Sequence, residues 1–206
     1  MTAAPPRRRS AAGEQAGPPL VIVNGAPGSG KTTLARRLAD VLGLPLLSRD
    51  TIKEVLADRL GTADLAQSQA LTRAAVGVFY ALGSELLRAG VGAVMDQAYQ
   101  RAVVEDDLRP LLAAGRGVQV HCVVPPEESV RRYVTRFERG ERHPAHFDGE
   151  RIAQVRSGAR RIDWSSYEPL EVAVPTLRVD TTEGYKPAFE QIVAFVRENA
   201  SHGAVG

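Results

Sequence analysis

Residues 23–35 read VNGAPGSGKTTLA. Gly25, Gly28 and Gly30 crowd into the run just before an amphipathic pattern, and Lys31 is the only lysine among the first fifty residues. An apolar run, 20–23, comes before. Leu34, Leu38, Val41 and Leu42 follow at helical spacing, and Gly43 closes them. A glycine-rich turn wedged between a buried strand and a helix leaves few folds open. Gly25-Ala26-Pro27-Gly28-Ser29-Gly30-Lys31-Thr32 fits G-x-x-x-x-G-K-[ST], a phosphate-binding loop. Glycines let successive backbone N–H groups converge on a phosphate without Cβ clashes. The helix behind aims its positive end at the same point. Lys31 supplies a point charge for the β- and γ-phosphates, and Thr32 a hydroxyl for Mg²⁺. Residues 25–33, through Thr33, are the expected ATP cradle. The competing reading, an ordinary turn, does not explain the flanking strand and helix.

Short apolar runs continue to alternate with helical patterns. Strands are expected at 20–23, 44–47, 93–95, 117–124 and 176–179. Helices are expected at 32–42, 51–60, 64–88, 104–114, 127–139, 151–161 and 187–199, with Pro110 a candidate bend. Continuous apolar strands between helices imply an α/β fold with a parallel sheet covered on both faces. Ligands then bind beyond the carboxyl ends of the strands.

The residues after each strand are therefore the site candidates. Ser48-Arg49-Asp50-Thr51-Ile52-Lys53 follows strand two. Asp50 is open to two roles, helix N-cap or acceptor of the proton of an attacking hydroxyl. Asp96 and Gln97 follow strand three. Asp96 is placed to hold Mg²⁺ or its water, to orient Lys53 or the acceptor, or to cap a turn. In the charged helix, Arg132, Arg136 and Arg139 lie at i, i+4 and i+7, with Arg142 and His143 beyond. Either an anion sits against that face under a closing lid, or the face is solvated with Glu127, Glu128, Glu138 and Glu141 as partners. Asp180-Thr181-Thr182, after strand five, falls beside the loop, where adenine would pass. Leu71, Val78, Phe79 and Leu82 suit a partly apolar acceptor or a core. His121 lies within a strand and reads as structural. His143 and His146 lack the further ligands a metal site needs.

The bounds agree. A chain of 206 residues with net charge +2 has little electrostatic footprint for a nucleic-acid backbone. Cys122, the single cysteine, sits in VQVHCVV and reads as a buried thiol, so a reducing cytoplasm is the expected home. No uninterrupted apolar run reaches 18 residues, so no membrane span is expected. Residues 1–18, with Arg7, Arg8 and Arg9, read as a disordered basic tail, 19–200 as one domain and 201–206 as a flexible end. The oligomeric state is not encoded in any of these patterns.

The combination of GAPGSGKT, SRDTIKE, MDQAYQR, RRYVTRFERGERHPAHFD and VDTT resembles one group of small P-loop kinases. It spans chloramphenicol phosphotransferase, the kinase domain of bacteriophage polynucleotide kinase, and zeta toxins. The resemblance covers about residues 20–199. It implies a kinase-type three-layer sandwich with strand order 2-3-1-4-5 and a helical lid near 127–148. It implies Asp50 as general base and Asp96 as the acid after strand three. Lys31, Arg132 and Arg136 would carry the transferring phosphoryl, with Thr181 near the nucleotide. Lys53 stands where polynucleotide kinases use arginine near the acceptor, a departure. ATP and Mg²⁺ are implied, with a small-molecule hydroxyl as acceptor, a natural-product antibiotic included. A polynucleotide 5′-hydroxyl, a nucleotide-sugar and a non-catalytic nucleotide switch are the other readings.

Overall fold

The computed structural model describes residues 17–157 and 163–200, with the side chains of 101–105 set aside. The basic tail through residue 16 and the end from 201 lie outside the described residues. So does the end of the helix expected over 151–161.

Five strands form one parallel sheet in the order β2-β3-β1-β4-β5. They are β1 (Pro19–Gly25), β2 (Leu46–Ser48), β3 (Ala93–Asp96), β4 (Arg116–Val123) and β5 (Thr176–Asp180). The expected α/β architecture and strand order are both present. The central strand β1 alternates strictly. Val21 and Val23 pack with Leu34 and Leu38 of α1 (Lys31–Leu42) and Ile192 and Val196 of α7 (Phe189–Ala200). Leu20 and Ile22 pack on the other face with Phe79 of α3 (Leu65–Arg88) and Leu108 and Leu111 of α4 (Arg101–Ala114). β1 and β3 are buried on both faces, which is why Leu20–Val23 and Ala93–Met95 are apolar without interruption.

Several boundaries move for local reasons. β2 starts two residues late because the Leu44 amide donates to Ala39 O at 3.0 Å, closing the α1 terminus. α2 (Arg49–Leu60) starts two residues early because Ser48, not Asp50, is its N-cap, accepting from the Thr51 amide at 3.5 Å. The capping role considered for Asp50 is therefore excluded. α4 begins three residues early and runs through Pro110. α5 (Pro126–Glu138) starts on a proline at its first position, where the missing N–H costs nothing. A 3-10 turn (Pro144–His146) leads into α6 (Asp148–Arg156), and a second (Trp164–Tyr167) follows.

By length and composition α3 is long and apolar enough to cross a membrane, with a mean hydropathy of 1.2 over its best window. No unbroken apolar run signals this, because Gly77, Gly83 and scattered polar residues interrupt it. Here one face lies on the sheet through Ala75, Phe79, Gly83 and Leu87. Phe79 is core and Leu71 packs with Ala57 and Ala145, whereas Val78 and Leu82 face outward. The apolar acceptor wall expected on this helix is thus not there. Thr72 and Val76 are the residues it gives to the cleft.

His121 is 3 % exposed in β4, and burial, helped by Arg178, pushes its pKa down to about 4. Because the folded value lies below the unfolded one near 6.5, the unfolded chain binds more protons between those limits. Stability is present above pH 6.5 and is lost as pH falls toward 4. Going from pH 7.5 to 4.5 should cost roughly 2 kcal/mol through this residue. Denaturant titration of the wild type and His121→Gln at both pH values checks it. The variant's stability should fall less by that amount, and equal losses would contradict it.

Candidate active site

The register Ser48↔Asp96↔Val23 and Gly25↔Cys122 brings four strand ends level. The loop 25–32 leaves β1 there and turns into α1. Two features demand glycine at Gly28. Its φ is +83°, and a Cβ would run into the carbonyl oxygen of Ser129 on α5. The Ser129 hydroxyl donates back to Pro27 O, so α5 and the loop are locked together. On the far side, Thr181 Oγ1 donates to Ser29 O at 2.7 Å. Asn24 organises the root: its Oδ1 accepts from Gly25 N at 2.7 Å and Tyr99 N at 3.2 Å. Lys31 Nζ reaches back to Ala26 O at 3.5 Å. Thr33 is exposed on α1.

Above the loop lies a cleft of about 610 Å³. Pro27, Gly28, Lys31, Thr32, Asp50, Lys53, Gln97 and Arg136 all line it, so the structure brings half of the residues marked by sequence to one cleft, while the buried Asp96 does not line it. Its walls carry seven basic side chains (Lys31, Arg36, Arg49, Lys53, Arg136, Arg142, Arg151) against five acidic ones (Asp50, Glu54, Asp107, Glu141, Asp148). The excess of positive charge suits a phosphorylated ligand.

Asp50 is the pivot. Arg49 Nη2 lies 2.7 Å from its Oδ1 and Arg142 Nη1 3.6 Å from its Oδ2. Burial alone would raise its pKa, but Arg49, His146, Lys31 and Arg142 outweigh that and hold it well below the usual carboxylate range. Asp96 differs. It is 3 % exposed and burial raises its pKa, while Lys31 and a hydrogen bond with Thr32 pull the other way. Ser48 Oγ donates to its Oδ2 at 3.5 Å, and its buried Oδ1 has no hydrogen-bond partner. That orphaned oxygen, together with the Thr32 hydroxyl, fits Mg²⁺ or a water bound to it. Among the described residues no group of three or more His, Cys, Asp or Glu could hold a metal ion, so an all-protein cage is not what fits here.

Lys53 works from beneath. The residue is 1 % exposed, and its ammonium donates to Ser68 Oγ at 2.8 Å and has its pKa lowered to about 8 by burial, then Arg151 and Arg49. Ser68 Oγ in turn donates to Ala145 O at 2.6 Å. The chain Lys53–Ser68–Ala145 ties α2 and α3 to the turn after α5, so Lys53 is engaged with the scaffold. Gln97 is buried with its Oε1 unpartnered.

The arginine face divides. Arg132 does not line the cleft. Its guanidinium bonds Glu128 at 2.7 Å and the carbonyls of Thr181 and Thr182 at 2.9 and 2.8 Å, bracing α5 against the loop after β5. Thr181 likewise braces the phosphate loop from a buried position. Both residues were expected on the ligand. The structure shows both engaged with the scaffold, where carbonyls at the end of β5 hold the guanidinium and Thr181 bonds Ser29 O. Arg139 points to solvent. Sequence reasoning undervalued Arg142, which links Asp50 to Asp148 through a 2.7 Å bond from its Nε. Asp148, 3 % exposed and also bonded to the Tyr133 hydroxyl, was missed with Arg49 and Arg151. The signal for Asp148 was a lone acid just after the aromatic of HPAHFD. Cys122 is a buried thiol with its pKa pushed up to about 12 by burial, which fits a core role.

A phosphate-cradling loop on the central strand of a 2-3-1-4-5 sheet is the P-loop nucleotide-binding fold in its kinase arrangement. A family model described as an AAA domain matches residues 20–162, and the chain belongs to that family. The chain is similar to a crystal structure of a kinase candidate from Chloroflexus aurantiacus J-10-fl, with a TM-score of 0.76 and 32% identity over 88% of this chain and 98% of that one. It is 27% identical to a cytidylate kinase of Nitratidesulfovibrio vulgaris over 79% of this chain and 85% of that protein. It is 34% identical to a shikimate kinase of Salinispora tropica over 55% of this chain and 65% of that protein.

Proposed function

We propose that this chain is an ATP- and Mg²⁺-dependent phosphotransferase whose acceptor is a hydroxyl group of a small molecule. Residues 19–200 act as one kinase unit in this reading, and about 127–148 as its lid. The observation that carries it is Asp50. Ser48 performs the capping, which leaves Asp50 free of the backbone, ionised, and in the wall of the same cleft as Lys31.

The acceptor oxygen forms a bond to the γ-phosphorus as the bond from phosphorus to the β–γ bridging oxygen breaks. ADP leaves with that electron pair. The hydroxyl proton passes to Asp50 and on to water. A strongly ionised carboxylate is a weak base, but in a loose transition state little proton transfer is needed before the bond forms, so its alignment of the hydroxyl counts most. Lys31 lies against the transferring group, with Arg136 and Arg142 covering it from the lid. Asp96 and Thr32 would hold Mg²⁺, which supplies charge neutralisation on the phosphates when bound. Lys53 and Gln97 shape the acceptor side from the floor of the cleft.

The kinase descriptions of the related proteins support phosphoryl transfer. The cytidylate kinase relative favours a second reading, in which the acceptor is a phosphate oxygen. Such an acceptor is already deprotonated and has no use for Asp50. A polynucleotide 5′-hydroxyl would need a stronger basic footprint than a chain of net charge +2 presents. A hydroxylated natural-product antibiotic is one member of the proposed acceptor class.

Asp96→Asn tests the metal assignment. The Mg²⁺ concentration giving half-maximal ATP turnover should rise about tenfold or more. An unchanged Mg²⁺ requirement would remove Asp96 from that role.

A further inference from the structure

Beside the cleft lies a cavity that phosphotransfer as proposed does not use. It lies between α5, α6 and the turn Trp164–Tyr167 and has a volume of about 270 Å³. Its walls are Val130 and Val134 from α5, Ile152 and Val155 from α6, and Trp164 and Tyr167 from the turn. It adjoins the cleft, and Pro27, Gln100, Tyr133, Arg151 and Tyr167 line both spaces.

Three observations say what it takes. First, Val130, Tyr133 and Val134 form an apolar stripe on α5, yet Ser129 is the only buried residue of that helix. The stripe faces a hollow where a helix of this kind normally meets core. Second, most polar groups around the cavity are already paired, the Arg151 guanidinium on the side shared with the cleft and the Trp164 indole N–H aside. Ser129 Oγ donates to Pro27 O, Ser166 Oγ donates to Asp163 O at 2.7 Å, and Asp163 Oδ1 accepts from Ser165 Oγ at 2.6 Å. Arg156 is paired with Glu138 at 3.1 Å. Away from those two groups the walls are mainly aliphatic and aromatic surface. Third, the aromatic wall is held in place. Gln100 Nε2 donates to the Tyr167 hydroxyl at 3.4 Å, Asn24 Nδ2 to Glu168 O at 3.5 Å, and Leu170 N to Gln119 Oε1 at 2.8 Å.

We propose that this cavity is the specificity pocket for the acceptor, and that it takes the single apolar ring of an aromatic alcohol. The hydroxyl arm passes Tyr133 and Arg151 into the cleft toward Asp50. The volume sits just below the usual range of about 300–1,000 Å³ for small-molecule sites, which admits one ring and excludes a polymer. The assignment of an acceptor rests on the phosphotransfer reading. The ring site itself can be read without any chemistry.

Trp164 is the chain's only tryptophan, so its emission reports on this cavity alone. The full chain is titrated with 2-phenylethanol, and in parallel with glycerol and cytidine. The expected result is a saturable change in emission with 2-phenylethanol and none with the other two. Val155→Phe fills the cavity and should weaken that binding about tenfold, with ADP binding unchanged. Val155→Leu, a smaller intrusion, should shift it in the same direction if the larger variant does not fold. Transfer from ATP to the same three compounds is then measured by mass spectrometry. Saturation that Val155→Phe removes supports the pocket. If no phosphoryl transfer accompanies it, the failure belongs to the phosphotransfer reading. Transfer to glycerol at the same efficiency as to 2-phenylethanol, with silent Trp164 emission, overturns the pocket and leaves that reading standing. Saturation by cytidine but not 2-phenylethanol also overturns the apolar ring.

Discussion

Asp50→Asn should lower kcat by about 10²–10⁴ while leaving ADP and ATP affinity within a factor of about three. The amide keeps the volume of the carboxylate, so the fold has no steric reason to change. It loses the capacity to take a proton from an acceptor hydroxyl. It also leaves Arg49 and Arg142 without their shared anion, which lies 2.7 and 3.6 Å from them. Because those cations and their neighbours hold Asp50 far below the usual carboxylate range, it stays ionised throughout the neutral region. The wild-type rate should therefore show no limb from Asp50 between pH 5 and 8. The sign on stability follows from the same shift. A carboxylate whose folded pKa lies below its unfolded one stabilises the fold above the unfolded value, and that contribution is lost as pH falls below it. Asp50→Asn should flatten stability against pH in the acid region only. Steady-state kinetics with calorimetric nucleotide binding decides the matter. Undiminished transfer would point to a phosphate acceptor, and a protein that acts only as a nucleotide switch would barely respond.

The second large effect is expected at Gly28. Gly28→Ala should weaken nucleotide binding by about tenfold or more and lower the midpoint of thermal unfolding by several degrees. The residue sits at φ +83°, where an alanine is strained by about 1–2 kcal/mol. The new methyl would also collide with the backbone carbonyl of Ser129, which cannot swing aside as a side chain can. Relief requires α5 to back away from the loop, and that strains the bond from Ser129 Oγ to Pro27 O. The phosphate loop and the start of α5 are thus disturbed together. Gly43→Ala is the control. It shares a positive φ of +64° but meets nothing within 4 Å, so it should cost stability and spare nucleotide binding. Calorimetry with ADP on both variants checks the contrast, and equal loss of binding in the two would contradict it.

What the sequence makes legible is whatever is encoded locally. The motif Gly25–Thr32 lies between a strand and a helix because glycine freedom, lysine charge and apolar periodicity are all short-range signals. Asp50, Lys53 and Gln97 reach the cleft because a parallel sheet brings its strand ends to one edge. What escapes is decided across the fold. Arg132 carries the right spacing for a lid cation, but carbonyls 49 and 50 residues away capture it. Arg142 looks like one charge among many until Asp50 and Asp148 are seen beside it. Ser48 displaces Asp50 as the cap through a difference of two residues, the scale on which helix starts are hardest to place. The apolar residues of α3 have helical spacing alone, and spacing does not tell core from cleft. The cavity beside Trp164 arises from three segments brought together, and none of them signals it alone.

Transfer of phosphate to a hydroxyl is read from product mass. The full chain is incubated with ATP and Mg²⁺ and a panel of hydroxylated antibiotics, aromatic alcohols, sugars, cytidine monophosphate and a 5′-hydroxyl oligonucleotide. One phosphoryl group should be added to a small-molecule alcohol, and Asp50→Asn should abolish the gain. Phosphate arriving only on cytidine monophosphate to give the diphosphate, or only on the oligonucleotide, would contradict it.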